Sequence, residues 1–347
     1  MKYELLRQQG LTLVELLVSL TVSAFILAGV VQLYATSSQN SRTFEGAARI
    51  QENARYAFTR LERDITQAGS GGCFGLISAE SQGRFVNALK NNAAKNQEYD
   101  YVHYVLGDTT DNSGINNSDS VLLRYADRSK RIQVTAYDNL GELTLDNTDP
   151  DFSDLKQFDV VYVANCVRAA VFMITNAPSS SDGIVNFAIG TAASSGLNSG
   201  QENASQDLSL GDHFALKISA SQTRTADVSL PYLFAGESRA KYQVESGQAG
   251  TCSASAEQNC VLTRNGEELV EGVHDMQVEY GWQLANGNLR YATWADVATA
   301  GAESLIDRIK VTLSLNSVDP APSLDGSKYM EKQISRVFMI RNQLPVY

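Results

Sequence analysis

The side chains that could act as acids, bases or nucleophiles are few and lie far apart in the sequence. The three histidines are His103, His213 and His274, and no H-E-x-x-H or G-x-S-x-G motif occurs in the chain. A lone histidine is most often a structural or surface group, and we interpret all three in this way. The sequence therefore predicts a non-catalytic protein with no cofactor and no metal site.

Two other sets of side chains invite a binding interpretation that the sequence does not favour. Four neighbouring aspartates could bind Ca²⁺, but they lack the spaced glycine and the closing glutamate of an EF-hand loop, so a solvated loop is expected. Trp282 and Trp294 lie in or near a predicted hairpin, where core or edge packing is commoner than carbohydrate binding. The aspartates are Asp146, Asp149, Asp151 and Asp154.

Four cysteines offer disulfide chemistry, which an even number favours if the chain is exported to an oxidising compartment. Cys252 and Cys260 would close a short polar loop, and that pairing would leave Cys73 with Cys166. All three connectivities remain open at this point. Zinc binding is less favoured, because the cysteines form no C-x-x-C pair and have no histidine cluster beside them.

The composition excludes several classes of protein. The chain has 347 residues, 43% of them hydrophobic, and a net charge of −11. It is long enough to bury a sizeable core and is unlike a disordered, collagen-like or disulfide-dense chain. The acidic excess argues against direct nucleic-acid binding by the whole surface, since phosphates are neutralised by Lys and Arg. A local basic patch is the exception: Arg124, Arg128, Lys130 and Arg131.

The charge is distributed unevenly, and Glu15 is the one charged residue between Arg7 and Arg42. It interrupts the apolar segment 11–31, which as a helix could cross a hydrocarbon core of about 30 Å. A cleaved secretory signal peptide and a plain membrane anchor are two interpretations of this segment. Neither explains the carboxylate, which costs about 2.5–3.5 kcal/mol at the centre of a membrane.

A third interpretation explains Glu15. The segment Gln9-Gly10-Leu11-Thr12-Leu13-Val14-Glu15 resembles the type III signal of type IV pilins and pseudopilins. The resemblance implies that prepilin peptidase cuts after Gly10, that the new N-terminal Leu11 is methylated, and that the apolar helix stays in the mature protein. Glu15 then falls at the fifth mature position, where a carboxylate and a free amine buried among helices can neutralise each other. Leu11 departs from the aromatic residue that most members have there, and the helix lacks the proline common in major pilins.

The apolar segment continues into an amphipathic one, in which apolar residues recur at spacings of three and four up to residue 68. A glycine-rich stop follows, and Gly29 and Gly46 are the places where the helix could bend. The expected fold class is α+β and type IV pilin-like: one long N-terminal helix packed on one β-rich globular domain with long polar loops. The predicted divisions are a leader peptide at 1–10, a membrane-spanning segment at 11–31, an amphipathic helix at 32–68 and the β-rich domain at 69–347.

Short apolar or alternating runs predict the strands of the β-rich domain. Residues 276–284 and 289–292 flank a predicted hairpin turn, residues 308–315 are expected to pair with 333–340, and residues 269–275 are predicted to form a short helix. The remaining predicted strands are 101–106, 120–125, 132–137, 158–164, 167–174, 214–219 and 241–244. Polar segments predicted as surface loops are 91–100, 107–119 and 192–211.

Several stretches of the globular part resemble PilW-type minor pilins: 160–165, 169–175, 269–281, 308–313 and 336–342. The resemblance implies a minor pilin that primes assembly of a Gram-negative type IV pilus, lies at or near its tip, and supports twitching motility, adhesion and DNA uptake. It implies a single-pass inner-membrane protein with a periplasmic domain, later incorporated into the pilus. The implied partners are prepilin peptidase, the assembly machinery, other minor pilins, the major pilin and a tip adhesin.

Three rivals remain open. A J-type pseudopilin of type II secretion uses the same signal and a related domain, although that class is usually shorter and lacks such long polar insertions. A membrane-anchored periplasmic enzyme would tolerate Glu15→Ala, whereas a pilin would lose assembly. A binding module would use its loops, such as 107–119, to hold a host surface or carbohydrate.

Overall fold

The computed structural model describes residues 12–72, 84–90, 103–108, 115–138, 141–165, 168–193, 201–205, 231–236, 238–321 and 328–343. Its N-terminal part is a single α-helix, α1 (Leu13–Gln67), of 55 residues. At about 1.5 Å per residue this helix is about 82 Å long. It continues without interruption through Gly29 and Gly46, so the prediction of one long helix is confirmed and neither glycine breaks it.

The C-terminal end of α1 is closed by residues from distant parts of the chain. Ala68 leaves the helical conformation, and Gly69 follows with φ +74° against the ring of Tyr104. A left-handed residue at a helix end is normally glycine, as here. The Asn342 Nδ2 donates to the carbonyl oxygens of the last residues of the helix at 3.1–3.3 Å. The end of the chain therefore helps to fix where α1 stops.

Sixteen strands and a second α-helix, α2 (Trp294–Ala300), follow within the described ranges. The strands are β1 (Phe85–Asn87), β2 (Val105–Gly107), β3 (Val121–Arg124), β4 (Arg131–Asp138), β5 (Glu142–Leu145), β6 (Val160–Ala164), β7 (Ala169–Met173), β8 (Ile184–Asn186), β9 (Tyr232–Phe234), β10 (Arg239–Ser246), β11 (Cys260–Arg264), β12 (Glu267–Glu271), β13 (Val273–Gln283), β14 (Leu289–Ala292), β15 (Arg308–Asn316) and β16 (Glu331–Met339). Short 3-10 helices lie at Ile115–Asn117, Pro150–Asp154, Glu257–Asn259, Glu303–Leu305 and Arg341–Gln343.

The described strands form three sheets. The sheet orders are β1-β7-β6-β9-β4-β5-β8, β12-β11-β10-β3-β2 and β14-β13-β15-β16. All neighbouring strands are antiparallel except β1 and β7, which are parallel. The predicted α+β, pilin-like architecture is therefore confirmed, and the β-rich part is built from several sheets.

The four-stranded sheet confirms the two strand pairs predicted near the C-terminus. In the hairpin, Tyr280 pairs with Ala292 and Gln283 pairs with Leu289. β15 and β16 pair along their whole lengths, from Arg308 with Met339 onwards. Buried and partly exposed residues alternate along β15, as the period of two in its sequence predicts.

The helix predicted at residues 269–275 is wrong. These residues form the end of β12 and the start of β13, which are joined at Gly272 with φ +76°. A Cβ on Gly272 would lie 2.8 Å from the backbone oxygen of Asn316, so the chain can turn this closely only with glycine. The turn places Val270 and Val273 in one core, and their spacing of three imitates a helical stripe.

The seven-stranded sheet is buried on both faces at β6 and β7, which lie between β1 and β9. Every residue of these two strands is buried. Alternate side chains enter different clusters: Val161 and Phe172 enter one, whereas Tyr162 and Val171 enter the other. A strand covered on both faces is apolar at successive positions, which explains why these two runs gave clear sequence signals.

Parts of the predicted surface loops are buried. The end of segment 107–119 is buried, because Ser118 accepts the Met276 N–H and Asp119 accepts the Val278 N–H, both at 2.9 Å. Within 192–211, Asn203 is buried and bonds both backbone groups of Met173 at 2.8 Å. The predicted loop 91–100 and strand 214–219 lie outside the described residues.

The second half of α1 packs on the five-stranded and four-stranded sheets in the largest core cluster. Phe58 lies in this contact. Its ring is 6.1 Å from the ring of Phe338 and 5.0 Å from the Arg336 guanidinium. The buried residues of α1 are Gly46, Ile50, Ala54, Ala57, Phe58, Leu61, Asp64 and Ile65.

A buried carboxylate, that of Asp64, joins α1 to three strands or strand ends of the five-stranded sheet. Its Oδ2 accepts from Arg264 Nε at 2.7 Å and from the Tyr242 hydroxyl at 2.6 Å, and its Oδ1 accepts from the Tyr125 hydroxyl at 3.1 Å. Burial, followed by the negative charge of Asp64, raises the pKa of Tyr242 far above its ordinary range, so this hydroxyl keeps the proton that it donates.

We predict that Asp64→Ala lowers the free energy of unfolding by about 3–5 kcal/mol, because Arg264 is left as a buried charge without its carboxylate. The control is Arg49→Ala, which breaks the exposed ion pair between Arg49 and Asp319 at 2.5 Å and is expected to cost at most about 1 kcal/mol. Urea unfolding of the detergent-solubilised chain measures both. Equal, small losses would contradict the structural role of Asp64.

Candidate functional site

The first half of α1 forms an apolar surface that the described part of the chain does not cover. Leu13 exposes 77% of its surface and Phe25 exposes 81%. Among the described residues, α1 is the one helix long and apolar enough to cross a membrane, and none of its most apolar stretch is buried. Burial begins only at Gly46. This half therefore fits a single-pass membrane anchor.

The N-terminus of α1 is fixed by a reciprocal pair of bonds between Thr12 and Glu15. The Glu15 N–H donates to Thr12 Oγ1 at 3.3 Å, and the Thr12 N–H donates to Glu15 Oε2 at 3.4 Å. This capping box satisfies two backbone donors that a helix start leaves without partners. It also holds a carboxylate at the positive end of the helix dipole. Glu15 therefore has a structural partner at the first described residue of the chain.

Hydroxyl groups in the apolar half bond to the backbone of their own helix. Ser19 donates to the Leu16 oxygen at 2.9 Å, and Thr21 donates to the Val18 oxygen at 2.8 Å. Such bonds allow polar side chains to lie in an apolar medium, where an unsatisfied group would be costly. Between residues 13 and 41 of α1, Glu15 is the one charged side chain.

The predicted site residues fall into two groups. Gly10 and Leu11, the predicted processing residues, lie outside the described residues, whereas Glu15 lies in the first turn of α1. The capping bond joins the Glu15 carboxylate to Thr12, which follows Leu11 in the sequence. Cleavage between Gly10 and Leu11 stays a prediction. The first described residue after the cleavage position, Thr12, bonds to Glu15.

Comparison with known proteins identifies one motif, at the N-terminal end of the chain. Residues 5–31 match the prokaryotic N-terminal methylation motif. The match spans the predicted cleavage position and Glu15, so the chain carries a prepilin-type motif. Together with α1 and the β-rich domain, the motif supports a type IV pilin or pseudopilin, and it implies processing by prepilin peptidase and a membrane pilus-assembly system. No curated protein and no solved structure matches the chain.

The other predicted residues lie in the globular domain where they are described. Cys252 and Cys260 form a disulfide bond, as one of the open connectivities has it, and Cys73 and Cys166 lie outside the described residues. Trp282 and Trp294 are buried, which confirms their interpretation as packing residues. Of the histidines, His274 is buried, His103 is partly buried and His213 lies outside the described ranges.

The carboxylates of the acidic stretch bond to protein groups in and near their own loop. Asp149 caps the 3-10 helix Pro150–Asp154 by accepting the Asp151 N–H. Asp154 accepts from Lys130 Nζ at 2.5 Å, and this bond raises the pKa of the lysine. Bonds from Thr148 lower the pKa of Asp146. These partners account for three of the four aspartates without a calcium ion.

Sequence reasoning missed two residues that fix α1 on the globular domain, Gly46 and Asp64. Asp64 follows Leu61 by three residues and precedes Ala68 by four, so its place inside the apolar stripe was a usable signal. Gly46 has no such signal, because its role depends on a segment far along the chain. A Cβ there would lie 2.9 Å from the Cβ of Ala321 and 3.1 Å from that of Ser317.

We predict that Gly46→Val lowers the melting temperature of the detergent-solubilised chain, because the added side chain pushes α1 away from residues 317–321. Gly29→Val is a matched control, since it makes the same change within the same helix and has nothing within 4 Å of its Cβ. The intrinsic helix propensity of the substitution is common to both variants. Similar melting temperatures for the two variants would contradict the close contact at Gly46.

Proposed function

We propose that this chain is a non-catalytic minor pilin of the PilW type, an inner-membrane prepilin with a periplasmic β-rich domain that primes assembly of a type IV pilus. The observation that carries the proposal is the division of α1. Its first half follows a prepilin-type motif and leaves an apolar surface uncovered, while its second half is fixed to the globular domain. Such a helix can exchange lipid for the helices of other subunits without refolding.

Glu15 favours the packed helix bundle over lipid and fixes the axial position of the subunit in the filament. A carboxylate in lipid is costly, by about 2.5–3.5 kcal/mol at the membrane centre and by less near an interface. In a bundle of pilin helices the carboxylate can pair with the free amine of a neighbouring or the same subunit. The capping bonds from Thr12 already hold the carboxylate towards the helix start, where that amine lies after processing. Pairing therefore favours one axial position of each subunit.

The PilW-type assignment draws support from the strands that the PilW-like stretches form in the four-stranded and seven-stranded sheets. Most PilW-like stretches form strands that build the cores: β6, β7, β13, β15 and β16. The long polar insertions favour PilW-type proteins over the shorter J-type pseudopilins. A priming subunit at or near the tip would have other minor pilins, the major pilin and a tip adhesin as partners. Motility, adhesion and DNA uptake would then depend on it indirectly.

We predict that Glu15→Gln leaves the protein in the membrane but removes it from sheared pili and reduces piliation, because the carboxylate for the amine is lost. Glu52→Gln is the control, since Glu52 is an exposed carboxylate of the same helix outside the apolar half. Immunoblots of membrane and sheared-pilus fractions, in a strain lacking the chromosomal copy, measure both variants. Normal incorporation of the Glu15→Gln protein would contradict the proposal.

The strain that lacks the chromosomal copy also distinguishes a pilus subunit from a pseudopilin of type II secretion. Deletion of the chain is expected to reduce surface pili and twitching while type II secretion continues. Loss of secretion with normal pili would instead identify a J-type pseudopilin. Unchanged pili and secretion, with loss of an enzymatic or binding activity, would replace the filament proposal altogether.

A further inference from the structure

Three potential metal ligands from distant parts of the sequence meet beside the Cys252–Cys260 disulfide. They are Glu257, His274 and Glu331, and one ligand atom from each lies within 4.8 Å of the others. The His274 Nε2 and a carboxylate oxygen of Glu257 are 3.8 Å apart. Glu257 belongs to the loop closed by the disulfide, and Glu331 begins β16. Sequence spacing could not reveal this cluster.

His274 is placed here by an irregularity in the sheet. The pairing of β13 with β15 shifts between Val273 and Asp275, so His274 is the extra residue of a β-bulge. Bulges redirect side chains and are common next to functional sites. Asn116 supports the backbone at this point, because its Nδ2 donates to the His274 oxygen at 3.5 Å and lies 3.6 Å from the Cys260 sulfur.

The imidazole of His274 is buried without the partners that a structural histidine normally has. The residue exposes only 9% of its surface, and within the described chain its Nδ1 has no hydrogen-bond partner. Its Nε2 is beyond hydrogen-bond distance of Glu257. A buried polar group without a partner costs about 1–3 kcal/mol. The Nε2 nitrogen, which faces Glu257 and forms no hydrogen bond within the described residues, is the atom of this ring that is available to a cation.

The two carboxylates of the cluster also lack a partner that a bound cation would supply. Within the described ranges, neither Glu257 nor Glu331 forms an ion pair with a lysine or arginine, and the two lie near each other. Two like charges in one site repel, and a cation between them removes that cost. Imidazole nitrogen together with carboxylate oxygen is a ligand set suited to first-row divalent ions, and particularly to Zn²⁺.

We propose that Glu257, His274 and Glu331 bind one divalent transition-metal ion, with Zn²⁺ as its best probe. Ligand distances of about 2.0–2.2 Å place neighbouring ligand atoms about 3.4 Å apart in a tetrahedral site. The Glu257–His274 pair is close to this separation, and the exposed Glu331 side chain closes the rest by rotating. Water completes the coordination. The ion ties the disulfide loop to β13 and β16, and β16 in turn packs against α1.

Zinc titration of the untagged, full-length chain in detergent, after dialysis against EDTA, tests the site. Isothermal calorimetry is expected to show one Zn²⁺ per chain, and the bound ion should raise the melting temperature. His274→Gln and Glu331→Gln should each weaken binding by more than about 10–100-fold, the loss typical of outer-shell partners of a metal site. The matched control, Glu267→Gln, changes an exposed carboxylate outside the cluster and should bind as the unmodified chain does.

Far-UV circular dichroism and mass spectrometry of the Cys252–Cys260 peptide check that each variant has folded. If His274→Gln does not fold, Glu331→Gln decides the question, because Glu331 is exposed and its replacement leaves the core intact. Absence of zinc binding to the unmodified chain would overturn the proposal. Equal zinc affinity of the unmodified chain and Glu331→Gln would also overturn it, since the ion would then lie elsewhere.

Discussion

One continuous helix must satisfy an apolar medium along its first half and a protein core along its second. In the protein core this constraint is met by the buried carboxylate of Asp64, a residue of α1. It accepts hydrogen bonds from Arg264, Tyr125 and Tyr242. The five-stranded sheet supplies these partners, and together with the four-stranded sheet it covers the apolar stripe of α1. These two sheets therefore hold about half of this helix and leave the other half uncovered.

Local patterns predicted the elements whose stability is local or whose faces are uniform. The α1 stripe, the β13–β14 hairpin and the alternation along β15 can all be read from neighbouring residues. The error at residues 269–275 had a specific cause, since Gly272 turns the chain between strands whose apolar spacing also suits a helix. β11 (Cys260–Arg264) was missed because its burial depends on β10 and β12 on either side.

The candidate sites divide in the same way. Gly10, Leu11 and Glu15 were predicted from one contiguous motif, and residues 5–31 match the corresponding family description. Asp64 and the cluster around His274 depend on contacts between residues about 20 to 200 positions apart. The apolar stripe indicates that Asp64 is buried, but the partners of Asp64 and the cluster around His274 leave no signature in a single sequence. The disulfide is intermediate, because its loop was visible in the sequence but its pairing was one of three.

The central claim is that the apolar helix belongs to a processed filament subunit and is not a cleaved signal or a plain anchor. Mass spectrometry of the mature N-terminus, on protein purified from membranes of a cell that contains prepilin peptidase, tests it most directly. The account predicts a chain that begins at N-methylated Leu11 and retains α1. A chain that begins after Ala35, or that keeps Met1, would contradict it.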